Sequence, residues 1–309
     1  MRIIACLIAS LVAFRAAAQS QPATTEATAL YTQAIAAYEA KDYAKSIELG
    51  LASIERGARR GTVPYHVACC YALTGKKDDA FKYLKIAFER GWRDLDHMTS
   101  DADLATLHGD ARWKDALAAC DAARDAYYKT LKEPALAREL MDRMARDQRL
   151  RRELEKRMRE LPDGQKSVPT DSLPPDLRGD IDGENTQFMK KVIDRHGWPG
   201  KTLVGEEAAN AAWLLVQHAD ADREFQNRCL GLIKAAFDKG EVTGQQVAYL
   251  TDRVLVGQGR KQVYGTQFRL VDGEMQPAPI EDEANVDVRR KEVGLPPLAD
   301  YARMIRGQR

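Results

Sequence analysis

The sequence predicts a mainly α protein, with helical hairpins in the first third followed by a helical domain that carries one β-hairpin. Three observations predict it. Ala, Leu, Glu, Lys and Arg dominate long stretches while aromatic residues make up only 7%, a composition that favours helix. Apolar residues recur at helical spacing through most of the chain. One stretch, Gln262 to Val271, alternates at the period of a strand and is followed by Asp272-Gly273, a good type I′ turn, with a return over Glu274 to Pro277. With 309 residues, 44% of them hydrophobic, the chain has enough apolar material for two modest domains with their own cores. Lys plus Arg number 47 against 46 Asp plus Glu, so the net charge gives no electrostatic ground for nucleic acid as a partner.

In chain order, residues 1–18 read as an export signal. Arg2 is a short positive start, Ile3 to Phe14 is an apolar run far shorter than a membrane span, and Ala16-Ala17-Ala18 supplies small residues for cleavage before Gln19. The expected location is periplasmic or secreted. No later segment is long and apolar enough to span a bilayer, so no stable membrane insertion is expected after signal removal. The cysteines beyond the signal are Cys69, Cys70, Cys120 and Cys229, without a Cys-x-x-Cys pair or a zinc-ligand spacing, so no thiolate metal site is expected. Neighbouring helical residues point about 100° apart, so Cys69 and Cys70 do not bridge each other. One of them can reach Cys120 in an oxidising space, or all serve as small buried apolar side chains.

Residues 24–128 contain an internal repeat. Ala34, Lys41-Asp42-Tyr43, Ser46, Ile47 and Ile54 align with Ala68, Gly75-Lys76-Lys77, Ala80, Phe81 and Phe88 at a constant offset of 34 residues. Small residues at Ala34/Ala68 and Ser46/Ala80 let paired helices approach, and Ile47/Phe81 lie two turns from Ile54/Phe88 on one face. The pattern resembles the tetratricopeptide repeat, whose unit is a pair of antiparallel helices. Lys41 stands where a turn glycine is usual, and Gly50 where a larger packing residue is usual. In that arrangement Tyr31, Ile35 and Tyr38, then Tyr65, Cys69 and Ala72, face the concave surface. Tyr31, Tyr38 and Tyr65 are therefore candidate contacts to a protein or peptide partner, with packing as the competing role. Two units leave an apolar edge open. Gly91 to Tyr128 can cap it through Leu95, Met98, Leu104, Leu107, Trp113, Leu117 and Tyr127, and the pattern from Asp101 to Trp113 resembles the terminal unit of many bacterial repeat proteins.

Residues 134–161 form a charged helix whose Arg and Glu spacings allow i, i+4 pairing, which reads as a solvated face. Residues 162–179 hold Pro162, Pro169, Pro174 and Pro175 among Gly, Ser and Asp, the chemistry of a linker, although the charged helix can dock on the C-terminal domain. Residues 180–309 then read as a helical domain. Glu184 to His196 is amphipathic and stops at Gly197. Gly205 to Ala219 is apolar almost all round and is the expected central helix. Asp222 to Lys239 starts on an N-capping Asp, Gly244 to Val256 is the next helix, and after the hairpin come Glu283 to Val293 and Leu298 to Ile305.

Polar residues stand inside these apolar segments: Glu207, Asn210, Gln217 and His218, then Asp252 and Arg253, then Gln262, Tyr264, Thr266 and Gln267. Burying such groups without partners costs a few kcal/mol, so they imply a satisfied structural network or a ligand site. On the expected strand Gln262, Tyr264, Thr266, Phe268 and Leu270 share one face, and Gly265 admits a close neighbour. The blocks Gly197-Trp198-Pro199, Leu215 to Asp220, Tyr249-Leu250-x-Asp252-Arg253-Val254, Gln262-x-Tyr264-Gly265-Thr266-Gln267-Phe268 and Arg290-x-x-x-Gly294-Leu295 resemble a bacterial domain family of unknown function. That family often begins with an Asp-Gln-x-x-Arg element, matched by Asp147-Gln148 and Arg151, so the resemblance spans about Leu140 to Ile305. It carries no biochemistry.

From the residues themselves, His218, Asp252 and Tyr264 are the catalytic candidates if they converge, with His and carboxylate as base and acid. Gln217, Arg253, Gln262, Thr266 and Gln267 are the ligand-binding candidates, Arg253 for an anionic group. A metal held by His218, Asp220 and Asp222 competes with simple N-capping, and neither metal nor cofactor is expected. There is no glycine-rich phosphate loop, no Gly-x-Ser-x-Gly elbow, no His-Glu-x-x-His and no dinucleotide fingerprint. Two readings result: an exported repeat protein that binds a protein or peptide, and a hydrolase of an envelope polymer or peptide.

Overall fold

The computed structural model describes residues 25–161, 167–271 and 274–307. The export-signal reading of residues 1–18 and the Asp272-Gly273 turn lie outside them. The described chain divides into two compact units between Thr130 and Leu131.

The first unit is built of helical hairpins. Helices α1 (Thr25–Glu39) and α2 (Tyr43–Glu55) pair, as do α3 (Thr62–Leu73) and α4 (Lys77–Glu89). The 34-residue offset is present in the backbone as well as in the sequence. Lys41 (φ 60) and Gly75 (φ 75) take the same left-handed conformation, and Gly57 (φ 97) and Gly91 (φ 85) repeat it after the second helix of each pair. Ala34, Ser46, Ala68 and Ala80 are all fully buried, which is what close helix approach requires. Ser46 Oγ donates to the Ala34 carbonyl at 2.8 Å and Ser53 Oγ to that of Ala27 at 2.7 Å, so these buried hydroxyls at the α1–α2 seam are satisfied by helix carbonyls. A side chain at Gly50 would meet Val67 Cγ2 at 2.6 Å; the missing bulk there is supplied by α3. Helix α5 (Leu95–Ser100), a 3-10 turn (Ala102–Leu107) and α6 (Arg112–Tyr128) close the unit, with Met98, Leu104, Leu107 and Cys120 fully buried in its main apolar cluster. The four described cysteines are buried and free, so the bridge to Cys120 is not made.

In the second unit α7 (Pro134–Arg159) lies against α10 (Glu206–Gln217). The charged helix is not merely a solvated face: it buries Ala137, Leu140, Asp147 and Leu150. Nor is 167–179 a free linker, because Leu173 and Leu177 pack with Leu150 and Ile181 in an apolar cluster. Helices α8 (Ile181–His196), the short α9 (Lys201–Val204), α11 (Arg223–Asp238) and α12 (Gly244–Gly257) surround α10, which is buried along most of its length. Asp222 caps α11 by accepting from Phe225 N, and Thr243 with Gln246 forms a capping box on α12. The hairpin is shorter than the alternation predicts. Strand β1 (Phe268–Val271) pairs antiparallel with β2 (Glu274–Pro277), from Phe268↔Pro277 to Val271↔Glu274, while residues 262–267 form a loop. Helices α13 (Val286–Glu292) and α14 (Leu298–Gly307) complete the unit, and Tyr301 of α14 sets its ring edge on Phe268. Among the described residues no helix is long and apolar enough to cross a membrane.

Candidate functional site

His218 caps the last turn of α10, where its N–H still donates to the Leu214 carbonyl. Its side chain turns to α7. Nδ1 lies 3.0 Å from both carboxylate oxygens of Asp147 and 3.0 Å from Arg151 Nε. Arg151 in turn reaches Asp147 at 3.1 Å and Asp182, at the start of α8, at 2.7 Å. One ring nitrogen cannot donate to the carboxylate and accept from the guanidinium with a single proton. The ionised Asp147 has the stronger claim, so Nδ1–H donates to it and Arg151 is held mainly by the two carboxylates. Asp147 is fully buried and also accepts from Gln148 Nε2 at 2.8 Å. Burial opposes its charge, but the hydrogen bonds from His218 and Gln148 and the Arg151 guanidinium keep its carboxyl below the usual range. For His218 burial prevails over the pull of Asp147, and the imidazole sits below its ordinary range. The result is a neutral, oriented histidine joining three helices.

Asp252 does something different. Its carboxylate accepts from Val263 N (2.7 Å), Tyr264 N (3.0 Å), Thr266 N (2.9 Å) and Thr266 Oγ1 (2.9 Å). Those amides are the ones a strand would have offered to a ladder, and with them engaged the antiparallel ladder runs only from Phe268, Gln262 making an isolated bridge with Ile280. Gly265 between them is left-handed (φ 69), with Leu298 Cδ1 2.8 Å and Ile280 Cδ1 3.0 Å from where a Cβ would be, so a side chain there is excluded by both backbone and space. Burial lifts the Asp252 carboxyl above its usual range, against the lowering by the amides. The expected meeting of His218, Asp252 and Tyr264 is therefore corrected. Asp252 meets Tyr264 only through the Tyr264 backbone, and the carboxylate at His218 is Asp147.

The remaining candidates, Gln217 apart, also find protein partners. Gln262 Nε2 donates to the Gln267 and Ala278 carbonyls at 3.0 and 2.8 Å, and its Oε1 accepts from Gln267 N at 2.9 Å. Gln267 Nε2 donates to Thr266 Oγ1 at 3.1 Å. With the loop off the strand path, the common face expected for Gln262, Tyr264 and Thr266 does not form. Arg253 makes a two-pronged pair with Asp220 at 2.8 and 2.6 Å, and Asp222 is a cap, so the His218/Asp220/Asp222 metal alternative gives way to capping and pairing. Gln217 is buried, and its Nε2 has no hydrogen-bond partner among the described residues. Arg290, fully buried, donates to the Tyr264 and Pro296 carbonyls at 2.6 Å each, locking the loop from its other side.

Residues 134–308 match a family of unknown function, DUF6624. The chain belongs to this family. The DUF6624 match begins at Pro134, the first residue of α7, and so takes in Asp147 and Arg151 together with His218, Asp252 and Arg290. No curated protein and no solved structure matches the chain. Asp147, Arg151 and Asp182 were not among the sequence candidates for the site. The signal for Asp147 was present: it lies seven residues after Leu140 and three before Leu150 on the buried stripe of α7, an acidic residue where the period calls for an apolar one.

In the first unit the inner stripe is partly covered by the chain itself. Tyr65 Oη donates to Asp101 Oδ2 at 2.8 Å, Tyr38 Oη to Asp103 Oδ2 at 2.6 Å, and Thr106 Oγ1 to the Ala72 carbonyl at 3.1 Å. Tyr65, Cys69 and Ala72 are buried, whereas Tyr31, Ile35 and Tyr38 stay half-buried, with the His66 ring set against Tyr31 and Tyr38.

Proposed function

We propose that this is an exported protein-binding protein, periplasmic or secreted, in which tetratricopeptide-type hairpins dock a peptide segment of a partner and the DUF6624 domain is a rigid, non-catalytic companion. The observation that carries the reading is the unequal use of the inner stripe: Tyr65, Cys69, Ala72 and the Tyr38 hydroxyl are taken by the 101–107 segment, while Tyr31 and Ile35 of α1 remain half-buried on the first hairpin. An apolar, aromatic patch beside a chain segment that already packs in that groove suits a short apolar peptide. The export part of the reading rests on the composition of residues 1–18.

The hydrolase alternative has one supporting feature, the Asp147–His218 pair, since a carboxylate on Nδ1 is how an imidazole is oriented for base chemistry. Against it, His218 is 5% exposed and Asp147 not at all, and Asp252 is engaged by backbone amides. Binding is therefore the better-supported function.

Selection of a displayed peptide library on the purified full chain tests it. Peptides should be enriched whose affinity falls at least about tenfold, or 1.4 kcal/mol, in a Tyr31→Ala/Ile35→Ala double variant, with no change in a Leu270→Ser variant of the DUF6624 domain. Absence of enrichment, or peptides that bind the double variant equally well, would overturn the proposal.

A further inference from the structure

We propose that Cys69, His97, Asp101 and Asp103 form a binding site for a divalent transition cation of the zinc type. The residues come from three stretches that the fold brings together: α3, α5 and the start of the 3-10 turn. Cys69 Sγ lies 3.5 Å from Asp101 Oδ2, and His97 Nε2 lies 3.5 Å from the same oxygen. Donors bound tetrahedrally at 2.0–2.3 Å stand roughly 3.3–3.8 Å apart, a separation that the Cys69–Asp101 and His97–Asp101 pairs each meet. The ligand atoms of Cys69, Asp101 and Asp103 all lie within 4.8 Å of one another, and the exposed His97 ring, which now reaches Asp101, swings in as the fourth donor when the cation binds.

The donor set is mixed, with a thiol, an imidazole and two carboxylates, which selects a borderline-soft cation over calcium or magnesium. The charge balance points the same way. Cys69 is only 4% exposed, yet its thiol is aimed at a carboxylate. Among the described residues the hydrogen-bond and ion-pair partners of Asp101 and Asp103 are tyrosine hydroxyls, the Cys69 thiol, a backbone amide and His97, with no Lys or Arg. The Cys69 thiol now donates its proton to Asp101 Oδ2; a bound cation takes the place of that proton and holds the thiolate form.

The surroundings fit outer-shell support. Asp101 Oδ1 accepts from Asp103 N at 3.0 Å, which fixes the carboxylate and leaves Oδ2 for the cluster. Tyr65 and Tyr38 donate to Asp101 and Asp103, the kind of hydrogen bond that orients ligating carboxylates. Tyr65 is itself stacked on Trp92, with centroids 3.8 Å apart. The His97 side chain is 55% exposed, which gives the cation an entry. Sequence spacing announces none of this, because Cys69 is far from the other three donors and lies in no thiolate motif. The site is independent of the peptide-docking proposal.

The test uses the reduced full chain, with zinc and cobalt as probes. One equivalent of zinc should bind per chain, and cobalt should give a thiolate charge-transfer band together with tetrahedral ligand-field absorption. Cys69→Ser should abolish the charge-transfer band, and Cys229→Ser should leave it intact. His97→Gln, a change at an exposed side chain, should weaken zinc binding at least about tenfold while leaving the metal-free melting temperature unchanged, and Tyr65→Phe should weaken it about 10- to 100-fold. Lack of stoichiometric binding, or a cobalt spectrum that survives both Cys69→Ser and His97→Gln, would overturn the site. Should Cys69→Ser fail to fold, His97→Gln decides alone.

Discussion

The two units satisfy their buried polar groups by different means. In the N-terminal unit Ser46 and Ser53 are fully buried hydroxyls that donate to carbonyls of the neighbouring helix, and the core around them is apolar and periodic. The DUF6624 domain has buried hydroxyls too, Thr186 and Thr251 among them, but it adds buried ionisable groups: Asp147, Asp252, Arg253 and Arg290. Each of these reaches across elements and dictates the shape of a segment that has little apolar content of its own. The hydroxyls decorate a fold that packing already specifies, whereas the charges specify the fold where packing does not. Loss of one group should therefore be far more damaging in the second unit.

The largest expected effect is at Asp252. Asp252→Ala strips the buried Thr266 amide and hydroxyl and the part-buried Val263 and Tyr264 amides of their acceptor, so a loss of about 3–4 kcal/mol is expected in denaturant unfolding. Asp252→Asn keeps one acceptor and should lose less. In the N-terminal unit Ser53→Ala, which removes one donor, should cost only about 1 kcal/mol. Equal losses for Asp252→Ala and Ser53→Ala would erase the contrast.

The same contrast explains what was legible. The long helices of the second unit were readable from period and caps, including Asp222 at the start of α11 and Gly197 (φ 69) at the end of α8. The repeat was readable because its offset is a property of the chain alone. The site was not. Asp147 lies 71 residues from His218 and Asp252 is 11 to 14 residues from the amides it holds; a carboxylate takes whichever donors the tertiary fold presents, and no spacing announces them. Alternation over 262–267 predicts a strand, and the loop forms instead because one buried carboxylate outcompetes a ladder for three N–H groups. Likewise the stripe of Tyr38, Tyr65 and Cys69 was visible, while its cover by Asp101 and Asp103 was not.

Protonation gives a second way to sharpen the comparison. His66 packs against Ser46 Oγ at 2.9 Å, the Cys70 thiol at 3.7 Å and the rings of Tyr31 and Tyr38, and burial pushes its imidazole down to about 4. The unfolded chain takes up a proton near 6.5 that the folded chain refuses until about 4. Between those values the unfolded state binds more protons, so stability must fall as pH falls, by up to about 3 kcal/mol, and be flat at higher pH. His218 acts in the same direction, since burial lowers it too, but Asp147 beside it supplies a negative charge that His66 lacks among these partners. Unfolding midpoints measured from neutral pH to about 4 should lose most of this dependence in His66→Gln. Retention of the full slope in that variant would assign the acid sensitivity to the DUF6624 domain instead.

The smallest effect lies within the repeat, where the two interhelical turns share a backbone but not a sequence. Lys41-Asp42 and Gly75-Lys76 occupy equivalent places, with Asp42 at φ −84, ψ 71 and Lys76 at φ −84, ψ 69. The first turn has an Asp whose side chain accepts from Lys45 N, and a Lys in the left-handed region; the second has a Gly in that region, and a cap without a side-chain bond. Each turn thus carries one favourable residue and one unfavourable one. A left-handed non-glycine residue costs about 1–2 kcal/mol, offset in part by the flexibility glycine adds to the unfolded chain. Lys41→Gly should therefore stabilise by about 0.5–1 kcal/mol, and Lys76→Asp by about 1 kcal/mol through a new N-cap. Both gains require that the two turns are physically the same turn, so a loss of stability in either variant would mean that the 34-residue offset is a likeness of backbone without a likeness of energetics.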